Sequence, residues 1–171
     1  MNTSTFIETQ VDEIRKTVGK GPAISALSGG VDSSVATILA HKALGPGLKS
    51  IFMDNGLMRE GEAEEVVGIF AALGIKVEVI ECRKEFFAAL QGKTDPEEKR
   101  KAFRHAFYST FGHEVVKSKA RYLIQGTIAA DIIETRKGVK TQHNILEQIG
   151  IDPEAGFGFK VVEPIRDLFK N

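Results

Sequence analysis

Between Ala23 and Ser34 the chain reads Ala-Ile-Ser-Ala-Leu-Ser-Gly-Gly-Val-Asp-Ser-Ser. A short apolar strand, a double-glycine turn and a helix starting near Val31 follow one another here, which commits the fold to a strand–turn–helix unit. Adjacent glycines let the backbone turn tightly and bring its N–H groups close to an anion. Ser28, Ser33 and Ser34 add hydroxyls, and the helix N-terminus adds partial positive charge. Asp32 is the odd member, because a carboxylate repels phosphate unless a cation stands between them. Magnesium takes carboxylate and phosphate oxygens together. The stretch therefore predicts a pocket for a metal-bound polyphosphate.

The rest of the chain repeats the strand–helix alternation. Phe6, Ile7, Val11, Ile14 and Val18 have helical spacing, predicting a first helix from about Ser4 to Thr17 that Gly19 and Gly21 end. The helix from Val31 to Ala43 is expected to turn Val31, Val35, Ile38 and Leu39 inward. Gly45-Pro46-Gly47 precedes a second strand, Lys49 to Met53. Asp54-Asn55-Gly56 has hairpin chemistry, but the helical pattern after it (Glu60 to Leu73) makes it a strand-to-helix loop. A third strand (Ile75 to Ile80) and a short helix (Glu85 to Gln91) follow. Asp95 as N-cap and Pro96 at the first position open a long helix, on which Phe103, Phe107 and Phe111 form a core stripe. Arg121 to Gln125 is a fourth strand, ending in Gly126-Thr127. A helix near Ile145 to Ile149, a fifth strand within Gly156 to Val162 and a helix beginning at Glu163-Pro164 complete the reading. The pattern predicts an α/β fold, a doubly wound and mostly parallel five-stranded sheet of order 3-2-1-4-5. Its switch point lies between strands one and four, where the glycine turn and Gly126 meet.

With 171 residues the chain suits one domain. It carries 23 basic and 23 acidic side chains, so a broad nucleic-acid surface is not expected. Cys82, the single cysteine, excludes an intrachain disulfide framework and a Cys-x-x-Cys metal site. No apolar run approaches the ~20 residues needed to cross a membrane, and no basic-then-apolar signal opens the chain. A cytoplasmic location is the expectation.

No lysine follows Gly30 as a Walker A loop requires, and the dinucleotide pattern Gly-x-Gly-x-x-Gly is absent. Ser28 to Ser34, SGGVDSS, resembles instead the signature of the N-type ATP pyrophosphatases, the PP-loop enzymes. Four further segments resemble the GMP synthetase branch of that group: 52–59 (FMDNGLMR), 95–101 (DPEEKRK), 125–134 (QGTIAADIIE) and 163–170 (EPIRDLFK). The resemblance covers nearly the whole chain in ordered blocks. It implies that Ser28, Gly29, Gly30, Val31, Asp32, Ser33, Ser34, Met53 and Gly126 bind ATP. Asp32 and Asp131 would hold Mg2+. Lys140 would be a catalytic lid lysine beside Asp32, stabilising charge as pyrophosphate leaves. Arg100 and His143 would touch the substrate. The implied reaction adenylylates the 2-oxygen of XMP, after which ammonia displaces AMP to give GMP.

Each assignment has a plainer counterpart. Asp54 stands either near the adenosine or as a turn aspartate. Asp131 could be a surface carboxylate, Lys140 a solvated loop lysine and His143 a structural histidine. Lys99, Arg100 and Lys101 are a solvated helix face unless a substrate phosphate meets them. A single cysteine counts against sulfur transfer.

The chain departs from the family in three places. The lid carries Gln142-His143 where the family has two histidines. Ile145 to Asp152 replaces a glycine-rich loop. The chain stops at Asn171, before the family's C-terminal domain for dimerisation and XMP binding, and no glutaminase domain precedes the loop. Ammonia is therefore expected from a separate glutamine amidotransferase subunit, and a homodimer only through the missing C-terminal part. Two alternatives stay open: a PP-loop amidating or RNA-modifying relative with another acceptor, and a non-catalytic ATP-binding domain.

Overall fold

A computed structural model describes residues 2–129 and 160–169. Its elements are α1 (Thr3–Val18), β1 (Ala23–Leu27), α2 (Val31–Leu44), a 3-10 turn (Gly45–Gly47), β2 (Leu48–Asp54), α3 (Glu62–Ala72), β3 (Val77–Glu81), α4 (Arg83–Leu90), α5 (Pro96–Ser118), β4 (Tyr122–Ile124) and β5 (Lys160–Val162). The five strands form one sheet of order β3-β2-β1-β4-β5, with every neighbouring pair parallel. The predicted order and class are borne out. The expected helix near Ile145 to Ile149 and the first part of the expected fifth strand lie outside the described residues.

Side-chain alternation along the strands builds the two layers. Ala23, Leu27, Leu48 and Phe52 face one side, packed with residues of α1, α2 and α3. Ile24, Ile51, Met53 and Leu123 face the other, packed with Phe86 of α4 and Phe111 and Val115 of α5. A central strand buried on both faces must be apolar at consecutive positions, as β1 and β2 are. The phenylalanine stripe of α5 belongs to this second layer, and Phe103 meets Phe86 edge-on at 4.9 Å between ring centroids.

Two local expectations are corrected. Val31 is 70% exposed, and α2 buries Ala36, Thr37, Leu39 and Ala40 instead of turning Val31 and Val35 inward. Small side chains let the helix lie close on the sheet, while its first turn projects past the strand ends and leaves Val31 uncovered. Glu163-Pro164 opens a turn, not a helix. Its bonds span three residues (Arg166 N to the Glu163 carbonyl, 3.3 Å; Leu168 N to the Ile165 carbonyl, 3.0 Å). Ile165 is buried among α1 and α2, and the Leu168 carbonyl accepts from Ala129 N at 2.9 Å. Pairing with that neighbouring segment takes the backbone groups a continuing helix would use.

The opposite, N-terminal end of the sheet is closed by charge. Lys49 of β2 bonds Glu114 of α5 at 2.8 Å and Glu78 of β3 at 3.2 Å. Burial pushes Glu114 upward, but the bond and charge of Lys49, with Lys117 behind, hold it below its ordinary value. Burial likewise lowers Lys49, and bonds to Glu114 and Glu78 outweigh it. Among the described residues no helix is long and apolar enough to cross a membrane.

Candidate active site

The chain leaves β1 at Leu27 and enters α2 at Val31, so the glycine turn lies at the C-terminal edge of the sheet. Gly29 has φ +75°, in the left-handed region that favours glycine. The hydroxyls tie the turn together. The Gly30 carbonyl accepts from Ser33 Oγ (3.1 Å), Ser34 Oγ (2.9 Å) and Ser34 N (3.2 Å). With its proton so engaged, Ser33 Oγ accepts from Ser28 N at 3.2 Å and from Ser28 Oγ at 3.0 Å. Behind the turn, Thr37 Oγ1 donates to the Ser33 carbonyl at 2.7 Å, so Ser25 Oγ is the donor in its own 2.6 Å bond to Thr37. A buried hydroxyl relay thus fixes the first turn of α2 to β1.

Gly126 completes the crevice. A Cβ there would stand 2.6 Å from the Asp32 carbonyl carbon and oxygen and 2.7 Å from Ser33 N, all backbone atoms. Only glycine lets the end of β4 touch the first turn of α2. The crevice between them has a volume of about 310 Å³, and its lining includes Ser28, Gly30, Val31, Asp32, Ser33 and Gly126. Gln125 also lines it, and the Gln125 Oε1 and Thr127 Oγ1 atoms are buried without a hydrogen-bond partner among the described residues. An orphaned buried acceptor costs free energy that a donor on a bound molecule would recover.

A second cavity of about 590 Å³ opens beside the first and shares the wall of Phe107 and Tyr108. Lys99, Arg100 and Arg104 supply its cationic rim and Phe103, Leu57 and Leu90 its apolar floor. Arg100 itself bonds Glu97 at 2.8 Å on the exposed helix face.

Of the predicted site residues, Ser28, Gly30, Val31, Asp32, Ser33 and Gly126 come together around one crevice, with Gly29 and Ser34 in the same turn. Met53 does not join them through its side chain, which packs in the core against the α4 and α5 layer. Asp131, Lys140 and His143 lie outside the described residues. Asp54 is a latch: its carboxylate accepts from Gly56 N at 2.9 Å and from Arg83 Nε at 3.1 Å. The Arg83 bond, with the Gly56 N–H and the Arg83 charge, holds it below its ordinary value despite burial.

Sequence reasoning missed Glu62 at the start of α3. Its Oε1 lies 2.5 Å from where a Gly29 Cβ would stand, so a carboxylate abuts the turn from outside. Glu62 stands with Glu64 and Glu65 in that first turn, where all three suit the helix dipole alike and no local mark sets Glu62 apart.

Asp32 fits a magnesium ion delivered with a polyphosphate, since Mg2+ usually takes one or two carboxylates and completes its shell with phosphate and water.

Comparison with known proteins fits the fold and the motifs. A subunit of the glutamine-hydrolyzing GMP synthase from Sulfurisphaera tokodaii is 50% identical over 164 residues, covering 94% of this chain and 44% of its own length. The like-named protein of Archaeoglobus fulgidus is 49% identical over 172 residues, covering 100% of this chain and 54% of its own. The chain thus spans about half the length of the curated relatives it matches. The resemblance drawn from the sequence motifs is borne out by these relatives. Among solved structures, an NH3-dependent NAD synthetase from Campylobacter jejuni superposes with a TM-score of 0.73 at 18% identity, over 99% of this chain and 69% of that one. An NMN synthetase from Francisella tularensis gives 0.67 at 18% identity, over 98% and 66%. At that identity the likeness is one of fold. Residues 3–171 match the family described as NAD synthase, and the chain belongs to it.

Proposed function

We propose that this chain is the ATP pyrophosphatase part of a GMP synthase, a ligase that splits ATP into AMP and pyrophosphate while forming a C–N bond. The observation that carries the reading is the pair of adjoining cavities, a glycine-and-hydroxyl crevice beside a cationic, aromatic one. The first suits a polyphosphate with its magnesium. The second suits a purine monophosphate, with Phe103, Phe107 and Tyr108 offering ring faces and Arg100 a guanidinium for the phosphate. The curated relatives named as GMP synthase subunits support the same assignment.

In this reading XMP is the acceptor. Its 2-oxygen attacks the α-phosphorus of ATP, the α–β bridge breaks, and pyrophosphate leaves. Ammonia then adds at C2, and AMP departs with the former 2-oxygen. An amide-like oxygen is a poor leaving group until AMP is attached to it. The Ser28 to Ser34 turn binds the phosphates, Asp32 and Asp131 hold Mg2+, which neutralises phosphate charge, and Lys140 contacts the leaving pyrophosphate. His143 orients the acceptor. Ammonia comes from a glutamine amidotransferase partner, in keeping with relatives that are themselves named as subunits of a glutamine-hydrolyzing enzyme.

The test is release of AMP and pyrophosphate from Mg-ATP with XMP and ammonium ion, against the same mixture lacking XMP. XMP-dependent release with GMP as product is the expected result. ATP turnover that responds to another acceptor and not to XMP would overturn the XMP assignment, and absence of ATP binding would overturn the whole reading. Arg100→Ala should raise KM for XMP about tenfold or more with KM for ATP little changed. Chelation of magnesium should weaken ATP binding about tenfold or more.

A further inference from the structure

Among the described residues the crevice has no cationic side chain in its lining. That lining carries Asp32, yet a bound ATP would bring a triphosphate into it. A positive charge beside the glycine turn itself is reached through Glu62. Its carboxylate sits against Gly29, and on its other side it accepts from Arg59 N at 3.0 Å and, at 3.5 Å each, from Arg59 Nε and Nη2.

The two halves of this pair are held very differently. The Glu62 side chain is only 12% exposed, whereas that of Arg59 is 84% exposed. The Arg59 backbone N–H first, and its guanidinium second, keep Glu62 below the ordinary carboxylate range, so it stays charged. A fork of two contacts as long as 3.5 Å on an exposed guanidinium is a weak tether. Phosphate offers the same fork a shorter, stronger, bidentate partner.

We infer that Arg59 is a phosphate clamp: Glu62 holds its guanidinium beside Gly29 as a stand-in anion, and the β- and γ-phosphates of ATP take Glu62's place when they enter the glycine turn. The inference rests on the ATP pyrophosphatase reading but not on the identity of the acceptor. On the return path, Glu62 recaptures Arg59 as pyrophosphate leaves, so the pair assists release as well as binding.

The two residues should act with opposite signs. Titration calorimetry of the full chain with magnesium pyrophosphate and, separately, with Mg-ATP should show Arg59→Ala weakening both about tenfold or more. Arg59→Lys should recover part of the loss, since it keeps the charge but not the fork. Glu62→Gln frees Arg59 and should tighten pyrophosphate, visible as a lower dissociation constant and a slower off-rate. If the pair only caps α3, both variants lower the melting temperature and neither moves the two affinities. That result would overturn the inference while leaving the ATP reading intact. Failure of the unmodified chain to bind either ligand would sink both together.

Discussion

Two loops leave the same edge of the sheet with nearly the same chemistry, and they use it in opposite ways. The loop after β1 (Ser28 to Gly30) and the loop after β2 (Asp54 to Gly56) each carry a glycine with φ +75° and polar side chains bonded to nearby backbone. In the first, Ser28, Gly29 and Gly30 are exposed and face a crevice. In the second, Asp54 and Asn55 are buried, and their oxygens are taken by Gly56 N, Leu57 N and Arg83. The Asp54 carbonyl accepts from Cys82 N at 3.0 Å and Sγ at 3.3 Å as well. A polar loop whose groups are spent on its own protein is a joint. One whose groups can be released to a visitor is a site. Residue type does not separate the two; burial and the hydrogen-bond account do.

The comparison breaks most severely at Gly126, which braces the open loop. Alanine there must displace backbone atoms of Asp32 and Ser33, and a rigid neighbour cannot give way as a flexible side chain would. Gly126→Ala should cost upward of about 2 kcal/mol in urea unfolding and abolish ATP binding. A variant of wild-type stability would mean that β4 and α2 have slack the structure does not contain.

Next comes the closed loop. Asp54→Asn leaves Arg83 facing a neutral amide and should lower Tm by roughly 5 °C, with ATP affinity affected less than stability. The folded carboxyl lies below its ordinary value of 3.8. Its contribution is therefore complete above that pH and is lost as pH falls through the lower folded value. The gap between wild type and variant should narrow below pH 3.8. A gap independent of pH would show that shape, and not charge, holds the loop.

Much of this was legible in the sequence, for identifiable reasons. Strand order followed from the strand–helix alternation and the long excursion before β4, and the Asp95-Pro96 cap of α5 followed from residue chemistry, Asp95 Oδ1 accepting from Glu98 N at 2.9 Å. The glycine turn was found because its spacing is specific. Asp54 stayed balanced between two roles because Arg83, its deciding partner, lies far along the chain and carries no local mark. Val31 and Val35 misled because an apolar residue in the first turn of a helix can project beyond the sheet that the later turns cover. Glu62 was invisible for the same reason as Arg83: only the fold brings it to Gly29.

The open loop should lose less stability than the closed one when its charge is removed, because Asp32 is half-buried where Asp54 is buried. Asp32 lies in the first turn of α2, where a carboxylate gains about 0.3–1 kcal/mol from the helix dipole. Asp32→Asn should cost less in unfolding than Asp54→Asn does, yet weaken magnesium-dependent ATP binding about tenfold or more. Calorimetry with and without magnesium separates the two effects. Equal loss in both conditions would remove the metal role.

The smallest effect is expected at Cys82, which closes the second loop from behind. Its thiol is 1% exposed, burial chiefly and then the charges of Glu85, Asp54 and Glu81 push it up to about 11, and its Sγ rests on the Asp54 carbonyl. The thiolate is the reactive form, so around pH ~8 both access and ionisation are denied. Folded protein should resist iodoacetamide, and labelling should rise only in urea that unfolds the chain. Asp54→Asn, by loosening the loop that covers Cys82, should speed labelling under native conditions, whereas Asp32→Asn should leave it unchanged. Equal acceleration by both would mean that the two loops open as one unit, and the division between joint and site would fail.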